Sequence, residues 1–296
     1  MHFTEPVFRP PMEAESVLVR GTQSCTWNKC NFCYMSQGYP FMAASPEHME
    51  KEILAQKKQF GNAPTVFMVG SNPFTLPFDT LRQYAELLRK HFPGFTKISM
   101  HSRIDDIEKK SDDALQRLHN LGILHLFIGT ENGNEDALKI MNKGHTVEEA
   151  RVQLRRLDAA GIAYTCQYII GMAGKGKGLE SGTATAEFLN SVSAERVMST
   201  GLTVFPGSGL PGMVRNGAFI EAPEKEKIEE LLAFFEHLAA DLYFEGIHYL
   251  NPLNFRFRTG DATAKQRVIA EIKNVLAAHS EEELERAVNR KAMRSL

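Results

Sequence analysis

Cys25-Thr26-Trp27-Asn28-Lys29-Cys30-Asn31-Phe32-Cys33 places three thiols within one short stretch of chain. Thiolates bind soft and borderline metals strongly, and an aperiodic loop lets several of them turn toward one centre. Two centres answer to this set. A structural zinc takes four ligands, usually from two paired knuckles. The second pair is missing here: Cys166 lies in an apolar stretch, and a histidine such as His101 would have to be recruited from elsewhere. An iron–sulfur cluster with four irons is served differently, because three thiolates leave one iron open to a further ligand. Four cysteines in 296 residues are too few for a disulfide scaffold, so metal or redox chemistry in a reducing compartment is favoured.

Such a loop needs a rigid scaffold, and the surrounding pattern supplies one. Residues 1–15 contain Pro6, Pro10 and Pro11 and read as an extended lead-in. Ser16-Val17-Leu18-Val19-Arg20-Gly21 is β-rich, which sets the cysteines beyond the C-terminal end of a first strand, where α/β folds carry their sites. Ser45-Pro46 opens a helix with Met49, Ile53, Leu54 and Phe60 at helical spacing, stopped by Gly61. A strand at 65–69 runs into Gly70-Ser71-Asn72-Pro73, and Asp79 is placed to cap the next helix, whose stripe is Leu81, Tyr84, Leu87 and Leu88.

The alternation then repeats, with strands expected at 97–101, 124–128, 162–170 and 197–205 and helices at 111–121, 134–142 and 183–192. Thr146 and Glu149 form a capping box for one more helix, which stops at Gly161. Six strands alternating with helices imply right-handed crossovers and a parallel sheet, open or curled into a barrel. Beyond Pro206 the pattern turns helical, at 224–237 and 265–278, with Ser280 and Glu283 capping a last helix. The expected division is a lead-in (1–15), a βα domain (16–220) and a helical C-terminal extension (221–296), with 207–217 as the hinge.

Hydrophobic residues make up 43% and charged residues 24% of the chain, which excludes disordered and fibrous classes. A formal net charge of −2 offers no global field for a polyanion, so nucleic acid is an unfavoured partner and a small molecule a favoured one. No run reaches the ~20 apolar residues of a membrane span, and the first residues lack the regions of a signal peptide, so the expected address is the cytoplasm.

Three cysteines in one loop, an aromatic residue before the third and a parallel βα scaffold together resemble the radical S-adenosylmethionine (radical SAM) superfamily. The resemblance implies an α/β fold, a partial (β/α)6 TIM-type barrel with a helical C-terminal extension. It implies two cofactors, a [4Fe-4S] cluster and S-adenosylmethionine. In that family the amino and carboxylate groups of S-adenosylmethionine chelate the cluster's open iron, one electron cleaves the sulfonium, and a 5′-deoxyadenosyl radical takes hydrogen from an enclosed substrate. The commonest family spacing has three residues between the first two cysteines, where this chain has four, Thr26 to Lys29. Arg9-Pro10-Pro11, the strand and the Cys-Thr-Trp-Asn-Lys-Cys loop also resemble a subgroup related to oxygen-independent coproporphyrinogen oxidases. The likeness spans roughly residues 6 to 270.

By that resemblance Cys25, Cys30 and Cys33 are the cluster ligands and Phe32 lies against adenine. Gly70, Ser71 and Asn72 fall where the family holds the amino group of S-adenosylmethionine, with Asn72, in place of an acid, accepting through its amide oxygen. Ser102, Arg103, Glu131 and Gln167, at later strand ends, are candidates for the ribose and the methionyl carboxylate, and Lys143 matches a basic position that contacts the carboxylate. Each has a plainer reading: Glu131 can cap the short helix that follows, and Arg103 can pair with Asp105 or Asp106. His101 and Cys166 read as packing residues. The run Gly171–Gly178 lacks the GK[ST] of a phosphate loop and reads as a flexible rim with Lys175 and Lys177.

The leading function is hydrogen abstraction from a small-molecule substrate, with an electron donor such as flavodoxin or ferredoxin as partner. The alternatives are an iron–sulfur or zinc-binding protein that does not cleave S-adenosylmethionine, and an RNA-modifying member of the superfamily.

Overall fold

Ser45 accepts a hydrogen bond from the N–H of His48, and Pro46 follows it with its ring-fixed φ, so the first long helix, α1 (Pro46–Phe60), starts where the sequence places it. The computed structural model describes residues 3–294. Met1 and His2 of the lead-in, and Ser295 and Leu296 of the C-terminal extension, lie outside the described residues. The chain divides into two units. One comprises residues up to Asn28, Met35–Gly129 and Gln153–Tyr164; the other comprises Lys29–Tyr34, Thr130–Val152 and the chain from Thr165 on.

In the first unit, in chain order with α1, stand β1 (Val17–Arg20), β2 (Thr22–Gln23), β3 (Met42–Ala43), β4 (Thr65–Val69), α2 (Phe78–His91), β5 (Lys97–Ser102), α3 (Ile104–Glu108) and α4 (Asp112–Asn120). The residues of β6 (Ile123–Glu131) up to Gly129 and the stretch Gln153–Tyr164 complete it. β1, β4, β5 and β6 pair in parallel in that order, with Val17 opposite Val66, Val66 opposite Ile98, and Met100 opposite Leu126. Val66, Phe67, Met68 and Val69 are all buried, the continuous apolar run expected of a parallel strand covered on both faces. β2 and β3 form a short antiparallel pair that brackets the cysteine stretch in sequence.

Three local expectations shift in this unit. α1 buries Met49 and Ile53 but leaves Leu54 and Phe60 exposed, because its core face is narrower than the apolar pattern. α2 begins at Phe78, behind Pro77, so Asp79 sits in its first turn and pairs with Arg82 at 3.5 Å rather than capping it. α3, five residues long, has no periodic signature and is fixed by Asp106, whose Oδ2 accepts from the N–H of Arg103 at 2.9 Å.

The second unit carries α5 (Glu135–Ile140), the start of α6 (Val147–Ala160), most of β7 (Ala163–Ile170), α7 (Gly178–Asn190), β8 (Arg196–Gly201) and α8 (Leu210–Arg215). α9 (Glu224–His237), β9 (Tyr243–Gly246), β10 (Phe255–Arg258), α10 (Ala262–Ala278) and α11 (Glu281–Val288) follow. β7, β8 and β9 pair in parallel, and β10 closes the row antiparallel to β9. The expected C-terminal helices are present, and the Ser280/Glu283 capping box is formed. β9 and β10 are additional. Glu245 hides β9 from the sequence: a buried acid in a four-residue strand reads as surface until Arg196, at 2.6 Å, is seen to neutralise it.

α7 starts five residues before the expected Thr183. Glu226 of α9 accepts from the N–H groups of both Lys177 and Gly178 at 2.9 Å, a cap supplied from a distant helix. β8 stops at Gly201, and a turn with the N–H of Phe205 on the Thr203 carbonyl follows it. The buried rings of Tyr168, Phe234, Phe235 and Phe244, with half-buried Phe257 beside them, meet at 4.7–6.2 Å where α9 packs on the strands. Among the described residues no helix is long and apolar enough to cross a membrane.

Candidate functional site

In the first unit the approach to Cys25 is built from a residue of the lead-in. Glu5 is buried, and its carboxylate accepts from the Ser24 N–H at 2.7 Å, the Ser36 hydroxyl at 2.7 Å and the Ser71 hydroxyl at 3.2 Å. These bonds hold Ser24 at φ 66°, left-handed backbone that a serine adopts only under external restraint, and so set the direction in which the chain enters Cys25. No periodicity or motif marks Glu5; a lone acid among prolines reads as surface.

The Gly70-Ser71-Asn72 turn follows β4. Gly70 has φ 147°, and a Cβ there would stand 2.1 Å from the Thr22 hydroxyl oxygen, so only glycine fits. Asn72 is fully buried: its Oδ1 accepts from the Thr26 N–H at 3.2 Å, and its Nδ2 donates to the Thr26 hydroxyl at 2.8 Å and to Asp106 at 2.9 Å. The amide oxygen expected to face a cofactor is thus directed at the residue after Cys25. Ser102 donates to the Arg103 carbonyl at 2.9 Å; Arg103 pairs with Asp105 at 2.7 Å and lies over the Trp27 ring at 5.3 Å. His101 packs edge-on against the rings of Phe67 and Phe127, with Nδ1 3.2 Å from the Gly70 carbonyl, so Nδ1 carries the hydrogen. Burial pushes its pKa down to about 4, which keeps the ring neutral.

In the second unit lie Cys30 and Cys33, joined by a turn in which the Cys33 N–H donates to the Cys30 carbonyl at 3.2 Å. Asn31 between them donates its N–H to the Met141 carbonyl at 2.9 Å and its Nδ2 to the Ile140 carbonyl at 2.7 Å, while its own carbonyl accepts from the Leu210 N–H at 2.9 Å. Asn142 donates to the Lys29 carbonyl at 3.0 Å. Phe32 packs on a cluster of Ala137, Leu138, Met141, Met172, Leu202 and Leu210. Glu131 and Lys143, predicted as separate cofactor contacts, form one buried ion pair at 2.8 Å. Glu131 does not cap α5; Asn134 does, accepting from Ala137 at 3.0 Å. The Gln167 carbonyl accepts from the Thr130 hydroxyl at 2.7 Å, and Cys166 is buried in β7.

None of the four cysteines is in a disulfide, and Cys25, Cys30 and Cys33 are all half-buried. Among the described residues no three His, Cys, Asp or Glu side chains are gathered to hold a single metal ion. A four-iron cluster makes a looser demand, since each thiolate takes a different iron. The thiols of Cys25, Cys30 and Cys33 are donors of the right chemistry for it, on backbone tied by the hydrogen bonds of Glu5, Asn72, Asn31 and Asn142.

This arrangement, a cysteine loop after the first of a series of parallel strands, defines the radical SAM class. The sequence pattern of the Radical SAM superfamily matches residues 19–180, more than half of the chain, and the chain belongs to that superfamily. The family's cofactors are a [4Fe-4S] cluster and S-adenosylmethionine. An uncharacterized protein of Methanocaldococcus jannaschii is 26% identical over 197 residues, 65% of this chain and 59% of that one. The anaerobic magnesium-protoporphyrin IX monomethyl ester cyclase of Cereibacter sphaeroides is 29% identical over 87 residues, 29% of this chain and 14% of that one. Coproporphyrinogen III oxidase of Escherichia coli, described as a radical SAM enzyme, superposes with a TM-score of 0.56 at 18% identity, covering 75% of this chain and 52% of that one. The likeness gives the fold: α/β with the parallel sheet of the radical SAM partial TIM barrel, followed by C-terminal helices. The chain spans less than two thirds of the length of each of these three proteins.

Proposed function

We propose that this chain is an enzyme that cleaves S-adenosylmethionine reductively and directs the resulting radical at a small-molecule substrate. The observation that carries the reading is the triad Cys25, Cys30 and Cys33, none in a disulfide, inside the stretch that matches the family. When bound, the [4Fe-4S] cluster supplies the electron that breaks the sulfonium bond. The chain's own residues hold and orient. Cys25, Cys30 and Cys33 provide the three thiolates, and Phe32 sets an apolar surface beside them. The turn at Gly70, Ser71 and Asn72 offers its backbone to the amino group of S-adenosylmethionine. Ser102, Arg103 and Gln167 are the polar candidates for the ribose and carboxylate, and the Glu131–Lys143 pair presents one fixed dipole rather than two independent charges.

The subgroup we favour is the one related to oxygen-independent coproporphyrinogen oxidases, on the strength of Arg9-Pro10-Pro11 and the cysteine loop. The reductant is a flavodoxin- or ferredoxin-like donor, the compartment the cytoplasm, and the working division a βα domain at 16–220 with the extension at 221–296. The test is anaerobic reconstitution with iron and sulfide, then dithionite and S-adenosylmethionine, with mass spectrometry for 5′-deoxyadenosine. Formation of 5′-deoxyadenosine is expected; a cluster-loaded protein that makes none, even in a single turnover, would sink the proposal.

A further inference from the structure

The end of α5 is unusually exacting about its hydrogen bonds. Asn142 adopts φ 51°, its N–H donates to the Lys139 carbonyl, and the Lys143 N–H donates to the Leu138 carbonyl, both at 3.0 Å. That is a Schellman ending, with Asn142 in the left-handed position usually given to glycine. It satisfies the Leu138 and Lys139 carbonyls and leaves those of Ile140 and Met141 without an intrahelical donor. Both are taken by Asn31, the first through Nδ2 at 2.7 Å and the second through the backbone N–H at 2.9 Å. The contact is reciprocal, since Asn142 returns a bond to the Lys29 carbonyl on the other side of Cys30.

A third element closes on the same residue. The Leu210 N–H, at the start of α8, donates to the Asn31 carbonyl, and Gly209 comes so near that a Cβ there would stand 3.0 Å from Asn31 Oδ1. Asn31 therefore uses its N–H, its carbonyl and its side-chain amide at once, and all three bonds fix the short turn whose ends are Cys30 and Cys33. An aspartate in its place keeps the shape but loses the Nδ2 donor and sets a carboxylate against the Ile140 carbonyl.

We propose that Asn31 is a positioning residue that fixes the spacing of the Cys30 and Cys33 thiolates by capping the exposed end of α5, and so governs how tightly the iron–sulfur cluster is retained. The proposal rests on the reading of the three cysteines as cluster ligands. Cluster loss requires a thiolate to leave its iron, and a turn free to open raises the population of conformers in which it does.

The experiment loads wild type, Asn31→Ala, Asn31→Asp and Asn142→Gly, whose glycine keeps the left-handed backbone, anaerobically with iron and sulfide and follows iron release to a chromogenic ferrous chelator at a temperature well below unfolding. Loss of one hydrogen bond of ordinary strength corresponds to release roughly three- to tenfold faster. That range is expected for Asn31→Ala and Asn142→Gly, with Asn31→Asp at least as fast, while thermal unfolding of the metal-free proteins stays close to wild type. A merely structural role would lower the unfolding temperature and leave release from the folded protein unchanged. Should Asn31→Ala fail to fold, the isosteric Asn31→Asp and the distal Asn142→Gly carry the test. Release within twofold of wild type in every folded variant overturns the proposal; a wild type that takes up no cluster overturns the reading beneath it and the proposal with it.

Discussion

Lys143 Nζ lies 2.8 Å from Glu131 Oε1, and both side chains are buried. The pair joins the last residue of β6 to the turn after α5, and it holds Glu131 at φ 64°, backbone that a glutamate rarely adopts. Removing one partner leaves a charge in a poorly solvated place. Lys143→Met is expected to cost about 3–5 kcal/mol in urea unfolding, and Glu131→Gln in the same background to recover much of it. Additive losses in the double variant would show that the two residues do not act as a pair.

Glu230 makes stability depend on pH in an unusual direction. It is fully buried and accepts from Tyr168, Ser181 and the Gly171 N–H, each at 2.8 Å, yet burial raises its pKa to about 7 from 4.5. Between those values the unfolded chain has lost the proton and the folded chain keeps it, so this group's contribution falls as pH rises through the window. The loss is on the order of 3 kcal/mol by pH 8. Glu230→Gln retains an acceptor for Gly171 and can donate to the two hydroxyls. Its unfolding temperature is expected to exceed that of wild type at pH 8 and to converge with it near pH 5.

Cys30→Ala and Cys166→Ala separate the two kinds of cysteine. The first is expected to abolish iron uptake and 5′-deoxyadenosine formation together. Cys166 is buried in β7, so Cys166→Ala is expected to keep the iron content and cost about 1–2 kcal/mol of stability. Iron analysis after reconstitution checks both, and loss of metal in Cys166→Ala would favour a four-thiolate site.

Glu5 ties residues far apart in sequence. Glu5→Ala removes the acceptor for the Ser24 N–H and the hydroxyls of Ser36 and Ser71, and is expected to lower stability by about 2–3 kcal/mol. Limited proteolysis should then cut between Ser24 and Ser36 well before global unfolding. Glu5→Gln, which keeps an acceptor, should lie between the two.

The repeating part of the fold was legible because its signals are local. Ser45-Pro46, Thr146 with Glu149, and Ser280 with Glu283 each open a helix through bonds made within four residues. What stayed hidden depends on partners distant in sequence. α7 takes its cap from Glu226, β9 hides behind the neutralised Glu245, and Asn72 turns its oxygen to Thr26. The candidate site divides the same way: the three thiols announce themselves by type and spacing, whereas Glu5, Asn31 and Asn142 are ordinary polar residues whose roles exist only once the chain has folded.

The bonds around Asn31 also have an order in time. Cys30 and Cys33 are made before the partners of their turn: the Ile140 carbonyl that receives the Asn31 side chain lies 109 residues downstream, and the Leu210 N–H is made later still. A nascent chain therefore displays Cys30 and Cys33 before the bonds that hold their turn can form.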